Sequence, residues 1–368
     1  MNVLIGYLID GKSSGIDKYI IRMLGTLKEK DIKFSCLTNE KTTDLQKVFS
    51  NYPGIQIIEI PSLKHPLKQF QFLCELMKKN AYDEVYLNIS ESFNCIAAVA
   101  ASYCHINRII VHSHSTQPGG RKFVKRMSRK FLHEIIRPFW QYIATDYRAC
   151  SEEAGKWMFT KKIRNSGRYE VIPNVIDSSR FIYNEDTRKR MRVDLGIDDR
   201  FVVGHVGSFS YAKNNFFLLE IIRELRKRIP EAVLLSAGAG EDFDAVCEKA
   251  ETDGLMDNII FLGIRSDVPD LMQAMDCFVM PSRFEGQPIV AIEAQASGMP
   301  VFISNTIPNN AILSEHCFKI PIDNGAGIWA DEIVRHKEEK HVDIRKYPLN
   351  DKLCDAEKQA KQIQSLFI

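Results

Sequence analysis

Short apolar runs alternate with longer amphipathic segments along the whole chain. Short apolar runs bounded by turn residues indicate buried strands, whereas apolar residues at helical spacing indicate helices. Residues 216–228 are a clear helix by this criterion, because their leucines and isoleucines recur at helical spacing. Such an alternation predicts repeated βα units around a parallel sheet, and therefore an α/β fold.

The strand pattern occurs twice, which predicts two successive α/β domains. The predicted strands are residues 3–9, 33–38, 56–60, 84–88, 108–112, 142–145 and 170–172 in the first half, and 201–206, 232–236, 259–262, 277–280, 301–304 and 318–320 in the second. A chain of 368 residues also exceeds one ordinary hydrophobic core. We therefore predict a first domain over 1–172, a second over 173–350, and a final segment 351–368 that contains a further helix.

The composition excludes several classes of protein. The formal net charge is only +2, so nothing favours a nucleic-acid-binding function. The nine cysteines are odd in number and never spaced as Cys-x-x-Cys, which argues against a zinc site and for reduced thiols. No apolar stretch approaches the ~20 residues needed to cross a bilayer. The amino-terminal residues predict a strand rather than a secretory leader, so we expect a cytoplasmic protein.

Two glutamates, Glu285 and Glu293, lie eight positions apart in a complete strand–turn–helix frame. An apolar run ends before Pro281, a turn carries Glu285, and a predicted helix over 288–297 carries Glu293 and ends at Gly298. Glu285 therefore follows the carboxyl end of a strand, where open parallel sheets bind ligands. A carboxylate there can accept hydrogen bonds from sugar or ribose hydroxyls. Two solvated surface glutamates are the alternative, but the complete frame favours a functional pair.

This frame resembles the E-x7-E signature of retaining glycosyltransferases of the GT-B type (glycosyltransferase family 4 type), which include sucrose synthase, glycogen synthase and many bacterial polysaccharide enzymes. The resemblance implies two facing Rossmann-like domains with a deep interdomain cleft, and a final helix that crosses back to the first domain. It implies that Glu285 is catalytic and faces the donor sugar, and that Glu293 holds the nucleotide ribose. Gly286, Gln287 and Pro288 are likewise implied to bind the donor.

A second predicted donor-binding segment follows the first strand of the second domain. It begins with the turn residue Gly207 and continues to Lys213 and Asn214 near a helix start. Such a segment offers backbone N–H groups and a cation to a diphosphate. It resembles the GRxxxxKN motif of the family, which implies that Gly207, Lys213 and Asn214 bind the donor and that Lys213 takes part in catalysis.

Ser208 occupies the position of the arginine in that motif, and is kept among the predicted donor-binding residues. An arginine is permanently charged and can bind a phosphate through two N–H groups, so its loss is a substantial change. Either Arg265 or Arg283 supplies the missing cation, or the diphosphate is bound more weakly, or catalysis is poor. Arg265 follows the third strand of the second domain and is included among the predicted donor-binding residues.

The segment after the second strand of the second domain contains two glycines and an Asp-x-Asp sequence. Gly238 and Gly240 permit a tight turn or a close backbone approach, and we interpret them as mainly structural. Asp242 and Asp244 could hold a divalent metal, but aspartates are also ordinary first-turn residues of helices. We therefore expect no metal and no other cofactor.

On the first domain, the candidates are Gly15 and two histidines. Relatives carry Gly-Gly-x-Glu after the first strand, and Gly15 and Asp17 are retained in kind; Gly15 would lie where a helix N-terminus can receive an anion. His112 and His114 end another predicted strand, on one face of it. The family has a histidine here near the donor sugar, and packed or solvated histidines are the alternative. We favour His114 as catalytic and keep His112 as donor-binding.

The stretch that begins with Arg121 and ends with Arg137 is rich in basic residues with apolar residues between them. A helix there would be basic on one side and apolar on the other. It could pack on the core with a solvated face, or it could contact anionic lipid at the inner face of the plasma membrane. The second interpretation suits an acceptor built on a lipid carrier.

The resemblance implies a retaining, metal-independent glycosyltransferase. It would transfer a sugar from a nucleotide-diphosphate sugar, and UDP is the favoured nucleotide. The acceptor would be a hydroxyl of a glycan or lipid-linked molecule in capsular or exopolysaccharide synthesis. Two alternatives stay open: a non-catalytic GT-B partner of an active transferase, which Ser208 favours, and a sugar-nucleotide epimerase.

Overall fold

The computed structural model describes residues 1–9, 15–27, 30–50, 52, 54–120, 122–344, 349 and 356–367. The chain divides into two compact units: unit 1 comprises Met1–Asn174 and Glu357–Ile368, and unit 2 comprises Val175–Ala356. The division after Asn174 lies close to the boundary after residue 172 that the sequence predicts.

Unit 1 is a parallel sheet with helices on both sides. Its strands are β1 (Asn2–Leu8), β2 (Lys33–Thr38), β3 (Gln56–Glu59), β4 (Glu84–Ile89), β5 (Arg108–Ser113), β6 (Asp146–Ala149) and β7 (Tyr169–Val171). Its helices are α1 (Gly15–Thr26), α2 (Thr43–Phe49), α3 (Pro66–Asn80), α4 (Ile96–Tyr103), α5 (Phe123–Ile136), α6 (Trp140–Ile143), α7 (Glu152–Met158) and α8 (Lys161–Arg164), with a 3₁₀ turn at Arg137–Phe139. The strand order is β3-β2-β1-β4-β5-β6-β7, and every pair is parallel.

Unit 2 repeats this architecture. Its strands are β8 (Phe201–Val206), β9 (Ala232–Ala237), β10 (Ile259–Phe261), β11 (Cys277–Met280), β12 (Val301–Ser304) and β13 (Cys317–Ile320). Its helices are α9 (Glu185–Leu195), α10 (Asn215–Leu225), α11 (Phe243–Thr252), α12 (Val268–Gln273), α13 (Ile289–Ala296) and α14 (Ala326–Arg335), with 3₁₀ turns at Ser178–Phe181, Met256–Asn258, Asn309–Ala311 and Ile322–Asn324. The strand order is β10-β9-β8-β11-β12-β13, again with parallel pairs.

Continuous apolar strands explain why each sheet is covered on both faces. β9, β11 and β12 are buried at every position, a pattern typical of parallel sheets between two helical layers. Among the described residues, two large apolar clusters accordingly form in each unit. The strands are therefore packed on both faces, and the loops that carry the candidate residues follow their carboxyl ends.

The last helix of the chain, α15 (Ala356–Ser365), belongs to unit 1. Ile363, Leu366 and Phe367 are buried in the apolar cluster that covers one face of the unit 1 sheet. The Phe367 ring lies 6.1 Å from the ring of Phe34, and Gln359 Nε2 donates to the Pro173 carbonyl over 2.6 Å. The chain therefore contributes its final helix to the core of the unit in which it began.

One predicted strand was wrong. Residues 142–145 were expected to form a strand, but the first two of them belong to α6 (Trp140–Ile143) and the strand is β6 (Asp146–Ala149). A helical turn buries Trp140 completely while it leaves Tyr142 exposed. Tyr147 of β6 is fully buried beside Val111 of β5, so the pairing with β5 selects the later segment.

The strand order in each sheet reverses once. In unit 1 the reversal lies between β1 and β4, and in unit 2 it lies between β8 and β11. Loops that follow the two strands at such a point diverge to opposite sides and leave a crevice, where open α/β sheets bind ligands. Among the helices of the described ranges, none is both long enough and apolar enough to cross a membrane.

Candidate functional site

The reversal point of unit 2 brings Lys213 and Glu285 together. Lys213 lies in the loop after β8, and Glu285 lies in the loop after the neighbouring strand β11. The Lys213 Nζ lies 2.8 Å from Glu285 Oε1, and the two side chains are only 17% and 11% exposed. The cation and the carboxylate that the sequence assigned to the donor therefore form one largely buried ion pair.

The two loops are also joined through Asn214 and Arg283. Asn214 adopts the left-handed conformation with φ of 59° at the start of α10, a conformation that asparagine tolerates better than most residues. Its side-chain Nδ2 donates to the Pro281 carbonyl over 3.2 Å, and the Arg283 N–H donates to the Ala212 carbonyl over 2.7 Å. These bonds fix Lys213, the residue before Asn214, against the end of β11.

Gly207 leaves room for two side chains beneath the loop. A Cβ atom at Gly207 would lie 3.4 Å from Lys213 Cε and 3.5 Å from His205 Nε2. The Gly207 N–H donates to the Ala237 carbonyl at the end of β9 over 3.0 Å. Both are ordinary van der Waals distances, so the loop packs closely over the lysine stem without requiring glycine at this position.

Gly238 and Gly240 allow the next loop to touch this one backbone to backbone. A Cβ on Gly238 would lie 1.8 Å from the Gly207 carbonyl oxygen, and a Cβ on Gly240 would lie 2.3 Å from the Phe209 carbonyl oxygen. Their φ angles are +147° and +157°, which side-chain-bearing residues rarely adopt. Both glycines thus serve the close packing of two loops in the protein itself.

His205 is a buried residue of the site that the sequence analysis missed. It is fully buried in β8, and its Nδ1 donates to the Val279 carbonyl of β11 over 2.9 Å. Burial lowers its pKa to about 4, so the ring is neutral at neutral pH. Its Nε2 faces Asn215 Nδ2 at 3.5 Å. The available signal was a histidine inside an otherwise apolar strand, which indicates a hydrogen-bonded core position.

The two arginines that could replace the missing family arginine have different partners. Arg265 binds Asp267 through two hydrogen bonds of 2.8 and 2.5 Å, and this guanidinium lowers the pKa of Asp267. Arg283 donates to Asn214 Oδ1 over 2.5 Å, and its guanidinium lies 4.8 Å from the centre of the Tyr211 ring. Arg283 therefore lies beside the Lys213 loop, whereas Arg265 is paired with an acid in its own loop.

Ser208 itself makes a short-range contact. Its Oγ lies 3.1 Å from Ser210 Oγ, within the same loop. A hydroxyl at this position can donate one hydrogen bond to a phosphate oxygen, but it carries no charge. Any positive charge beyond Lys213 must come from another residue.

Glu293 lies in α13 with only 7% of its surface exposed. The helix begins at Ile289, so Glu293 lies about one turn from its start. Gly286 and Pro288 are buried and Gln287 is half-buried. Gly286, Gln287 and Pro288 thus lie in the segment between Glu285 and α13, and the donor roles of all four residues stay predictions.

In unit 1, His112 and His114 stack on each other with ring centres 4.1 Å apart. His112 is completely buried, and its Nδ1 lies 2.8 Å from the Tyr86 hydroxyl, which lies 2.8 Å from the Tyr19 hydroxyl. His112 is therefore shielded by protein, and burial is the main cause that lowers its pKa. His114 is only half-buried, and is the histidine of the two that a ligand could reach.

A hydrogen-bond chain orients His114. Asn88 Nδ2 donates to the Gly6 carbonyl over 3.2 Å, which turns Asn88 Oδ1 towards His114 Nε2 at 2.9 Å. Since an amide oxygen only accepts, His114 carries its proton on Nε2 and presents Nδ1 as an acceptor. Burial lowers its pKa to about 3. The ring is thus neutral at neutral pH.

The first loop of unit 1 is only partly described, because Ser13 and Ser14 lie outside the described residues. Gly15 is exposed at the first position of α1. Asp17 is fully buried, and its Oδ1 accepts a 2.9 Å hydrogen bond from the Ile9 N–H. Asp17 therefore has a structural role in holding the chain after β1, whereas the predicted donor contact of Gly15 stays open.

Asp242 and Asp244 lie at the start of α11, as ordinary first-turn residues do. Asp242 is buried at the N-cap position, and its N–H donates to the Phe209 carbonyl over 3.0 Å. Within the described ranges, no group of three or more histidine, cysteine, aspartate or glutamate side chains is arranged to hold a metal ion.

Helix α5 exposes an unusual number of large apolar side chains. Their exposed fractions range from 44% to 78%, in Phe123, Val124, Met127, Phe131, Leu132 and Ile135. Of its residues, only His133 is buried, where it stacks on Trp157 with ring centres 3.7 Å apart. Of the two alternatives for this segment, packing of the apolar side on the core does not apply to these six residues.

Comparison with known proteins gives the class of this chain. The family model of glycosyl transferases group 1 matches residues 187–326, which contain the Lys213–Glu285 pair. The fold matches the Anabaena protein Alr3699/HepE, solved in complex with UDP and glucose, with a TM-score of 0.81, 17% identity and coverage of 99% of this chain and 98% of that one. The chain therefore has the GT-B fold, and the family match over part of its length supports glycosyltransferase activity.

Curated relatives extend over most of the chain. It is 28% identical to the putative glycosyltransferase EpsF of Bacillus subtilis (strain 168), over 87% of this chain and 84% of that protein. It is 26% identical to the UDP-Gal:alpha-D-GlcNAc-diphosphoundecaprenol alpha-1,3-galactosyltransferase of Escherichia coli, over 83% of this chain and 80% of that enzyme. These similarities support sugar transfer in polysaccharide biosynthesis.

Proposed function

We propose that the protein is a retaining glycosyltransferase that moves a sugar from a UDP-sugar to a hydroxyl of a glycan or lipid-linked acceptor in cell-surface polysaccharide synthesis. The observation that carries this proposal is the Lys213–Glu285 ion pair at the strand-order reversal of unit 2, in which Lys213 Nζ lies 2.8 Å from Glu285 Oε1. The names of the E. coli relative and the Anabaena structure, which include UDP-Gal and UDP, support the choice of nucleotide.

Departure of the sugar leaves negative charge on the nucleotide diphosphate. A preorganised cation lowers the free energy of that charge without rearranging during the reaction. Lys213 supplies it, and Glu285 holds the ammonium group in place before the donor arrives. Arg283 is exposed and donates a hydrogen bond to Asn214, the residue that follows Lys213. It supplies the second positive charge in place of the family arginine. No metal ion is needed in this scheme, so activity should persist in a chelator.

The remaining predicted residues recognise the sugar and the ribose. Glu285 accepts hydrogen bonds from donor-sugar hydroxyls, and Glu293 accepts them from the ribose. His114, neutral at neutral pH, accepts a hydrogen bond at Nδ1. Replacement of the two glutamates by glutamine keeps their size and removes only the charge, which makes these variants informative.

The test is a screen of UDP-, GDP- and ADP-sugars by thermal shift, because a ligand that binds the folded state raises the melting temperature. A UDP-sugar should stabilise the wild type, and Lys213→Met and Glu293→Gln should weaken that binding about tenfold or more. Glu285→Gln should mainly lower turnover. Lys189→Met, at an exposed lysine of α9 in the same unit, is the matched control.

Three outcomes would contradict the proposal. Wild-type donor affinity in Lys213→Met and Glu293→Gln would remove the assigned site. Donor binding without transfer to any acceptor would favour the non-catalytic partner, for which Ser208 is the supporting observation. Product formation without an acceptor would favour the epimerase. The anomeric configuration of the product, read by NMR, tests retention.

We further propose that α5 contacts anionic lipid at the cytoplasmic face of the membrane. Its exposed apolar side chains lie among Lys122, Lys125 and Lys130, all exposed, and a basic amphipathic helix binds anionic bilayers through both properties. Phe123→Ser/Phe131→Ser should abolish sedimentation with phosphatidylglycerol vesicles. Val193→Ser, at an exposed valine of α9, should not. Equal sedimentation of both variants, or equal binding to phosphatidylcholine vesicles, would contradict the proposal.

A further inference from the structure

His205 differs from the apolar residues around it in β8. It is fully buried one position before the end of the strand, between β9 and β11. A polar group that is removed from water costs free energy unless it forms hydrogen bonds. The partners of its two ring nitrogens therefore show what the residue does.

The hydrogen bonds fix the His205 ring in one neutral form. Nδ1 lies 2.9 Å from the Val279 carbonyl oxygen, and a carbonyl only accepts, so Nδ1 carries the proton. Nε2 is consequently an acceptor. It faces Asn215, the first residue of α10, which directly follows the loop of Lys213.

Asn215 connects His205 to that loop. Its side chain is buried, and its Oδ1 accepts the Ser210 N–H over 3.2 Å. Since a backbone N–H only donates, the amide Nδ2 lies on the other side, 3.5 Å from His205 Nε2. The Ser210 carbonyl in turn accepts the N–H groups of Lys213 over 3.0 Å and of Asn214 over 3.2 Å. Two buried polar side chains thus link the turn that presents Lys213 to β11.

The stem of Lys213 also lies close to the His205 ring. A Cβ atom placed on Gly207 would be 3.4 Å from Lys213 Cε and 3.5 Å from His205 Nε2, so both groups lie on the same side of this glycine. Burial is the main cause that lowers the pKa of His205, and the positive charge of Lys213 lowers it further. A charged imidazolium would repel the ammonium group, whereas the neutral ring does not.

His133 of α5 is a contrasting case in the same protein. It is also buried, but both of its ring nitrogens bind backbone groups. Nδ1 accepts the Ser92 N–H over 2.9 Å, and Nε2 donates to the Trp157 carbonyl over 3.0 Å. Such a ring joins two segments of main chain. One nitrogen of His205 binds a backbone carbonyl in the same way, while the other faces the side-chain amide that holds the Lys213 turn.

We infer that His205 is a positioning residue for Lys213, and that it acts through Asn215 and Ser210. The inference rests on the proposed glycosyl transfer, which it deepens by naming a residue that sets the diphosphate part of the donor site. Because His205 is fully buried, its effect on the donor is indirect and depends on the lysine. Loss of His205 should therefore weaken binding of the diphosphate and leave binding of the nucleoside unchanged.

The experiment compares the affinities of UDP and uridine for the full-length protein by NMR titration. His205→Asn keeps an N–H donor near the position of Nδ1 and removes the group at Nε2, and Asn215→Ala removes the next residue in the series. UDP affinity should fall about five- to tenfold in each variant, the loss expected from one hydrogen bond, while uridine affinity stays unchanged. His336→Asn, at a half-buried histidine of unit 2, is the matched control and should bind both ligands as the wild type does.

A double variant tests whether His205 acts through Asn215. In that case His205→Asn/Asn215→Ala should bind UDP no more weakly than Asn215→Ala alone, because the second change removes a contact already lost. A loss equal to the product of the two single effects would overturn the inferred route.

The outcomes separate this inference from the proposed function. Wild-type UDP affinity in His205→Asn would overturn the inference, and so would an equal loss of UDP and uridine affinity, which indicates a general structural role. Absence of UDP binding in the wild type, or wild-type UDP affinity in Lys213→Met, contradicts the proposed function instead. Thermal unfolding without ligand confirms that each variant is folded. If His205→Asn does not fold, Asn215→Ala provides the same comparison of UDP with uridine.

Discussion

Gly238→Ala should disrupt the loop that carries Lys213. The added Cβ would lie 1.8 Å from the Gly207 carbonyl oxygen, about 1.6 Å short of an ordinary contact. The obstacle is backbone rather than a flexible side chain, and it is held: the Gly207 N–H binds the Ala237 carbonyl over 3.0 Å. The Gly238 N–H binds the Gly263 carbonyl over 2.7 Å. Neither loop can move away without losing one of these hydrogen bonds.

The size of the effect follows from two separate costs. Alanine in a backbone conformation with φ of +147° costs ~1–3 kcal/mol. Inserting a methyl group into a packed contact costs a further ~1–3 kcal/mol. Together they should lower the free energy of unfolding of unit 2 by about 4 kcal/mol. The affinity for a UDP-sugar should also fall more than about tenfold, because Gly207 and Lys213 are displaced.

Gly254→Ala is the matched control. Gly254 also has a positive φ, +62°, but nothing lies within 4 Å of its added Cβ. Only the backbone cost remains, about 1 kcal/mol. Hydrogen exchange of β8, measured by mass spectrometry, reports the opening free energy of unit 2 in both variants. If the two variants lose the same stability, or Gly238→Ala keeps its donor affinity, the close loop contact does not have the role assigned to it.

Three further predictions concern buried polar groups. Lys213→Met and Glu285→Gln should each lower the free energy of unfolding by ~1–3 kcal/mol, because each removes one member of a largely buried, hydrogen-bonded ion pair; urea unfolding of the double variant should show less than the sum, and strict additivity would contradict the pairing. Tyr86→Phe should cost about 2 kcal/mol in the same assay, since it leaves the buried Nδ1 of His112 without its 2.8 Å partner; an unchanged unfolding midpoint would argue against that hydrogen bond. Burial lowers the pKa of His205 to about 4. Below pH ~6.5 this histidine therefore binds a proton in the unfolded chain, whereas it stays neutral in the folded unit until the pH approaches 4. Stability should therefore be complete above pH ~6.5 and fall as the pH drops towards 4, and this dependence should be weaker in His205→Gln.

The order of strands and turns along the chain could be predicted from the sequence, because the signals for these elements are local. Apolar runs gave strands such as β8, β11 and β12 at their observed bounds, and glycine and proline marked the turns that follow them. The prediction of a strand at 142–145 was wrong because the residues on both sides of this segment, such as Trp140 and Tyr147, are apolar enough for a strand. Only pairing with β5 decides which of the two segments joins the sheet.

The candidate site was predictable only in part. The sequence indicated Lys213 and Glu285 as donor residues, each from its own motif. That they form a 2.8 Å ion pair depends on β8 lying beside β11, a pairing between segments about 70 residues apart. His205 was missed because a histidine in a strand carries no sign of the carbonyl that binds it. The choice between Arg265 and Arg283 likewise required their partners to be seen.

The sequence by itself determined the α/β class and the doubled architecture and predicted the type of ligand, because periodicity, turn residues and short motifs are properties of neighbouring positions. Tertiary structure decided which distant groups meet. It paired Lys213 with Glu285 and packed Gly238 against the backbone of Gly207. These contacts arise from strand order, and strand order is fixed by packing of the whole sheet rather than by any single segment.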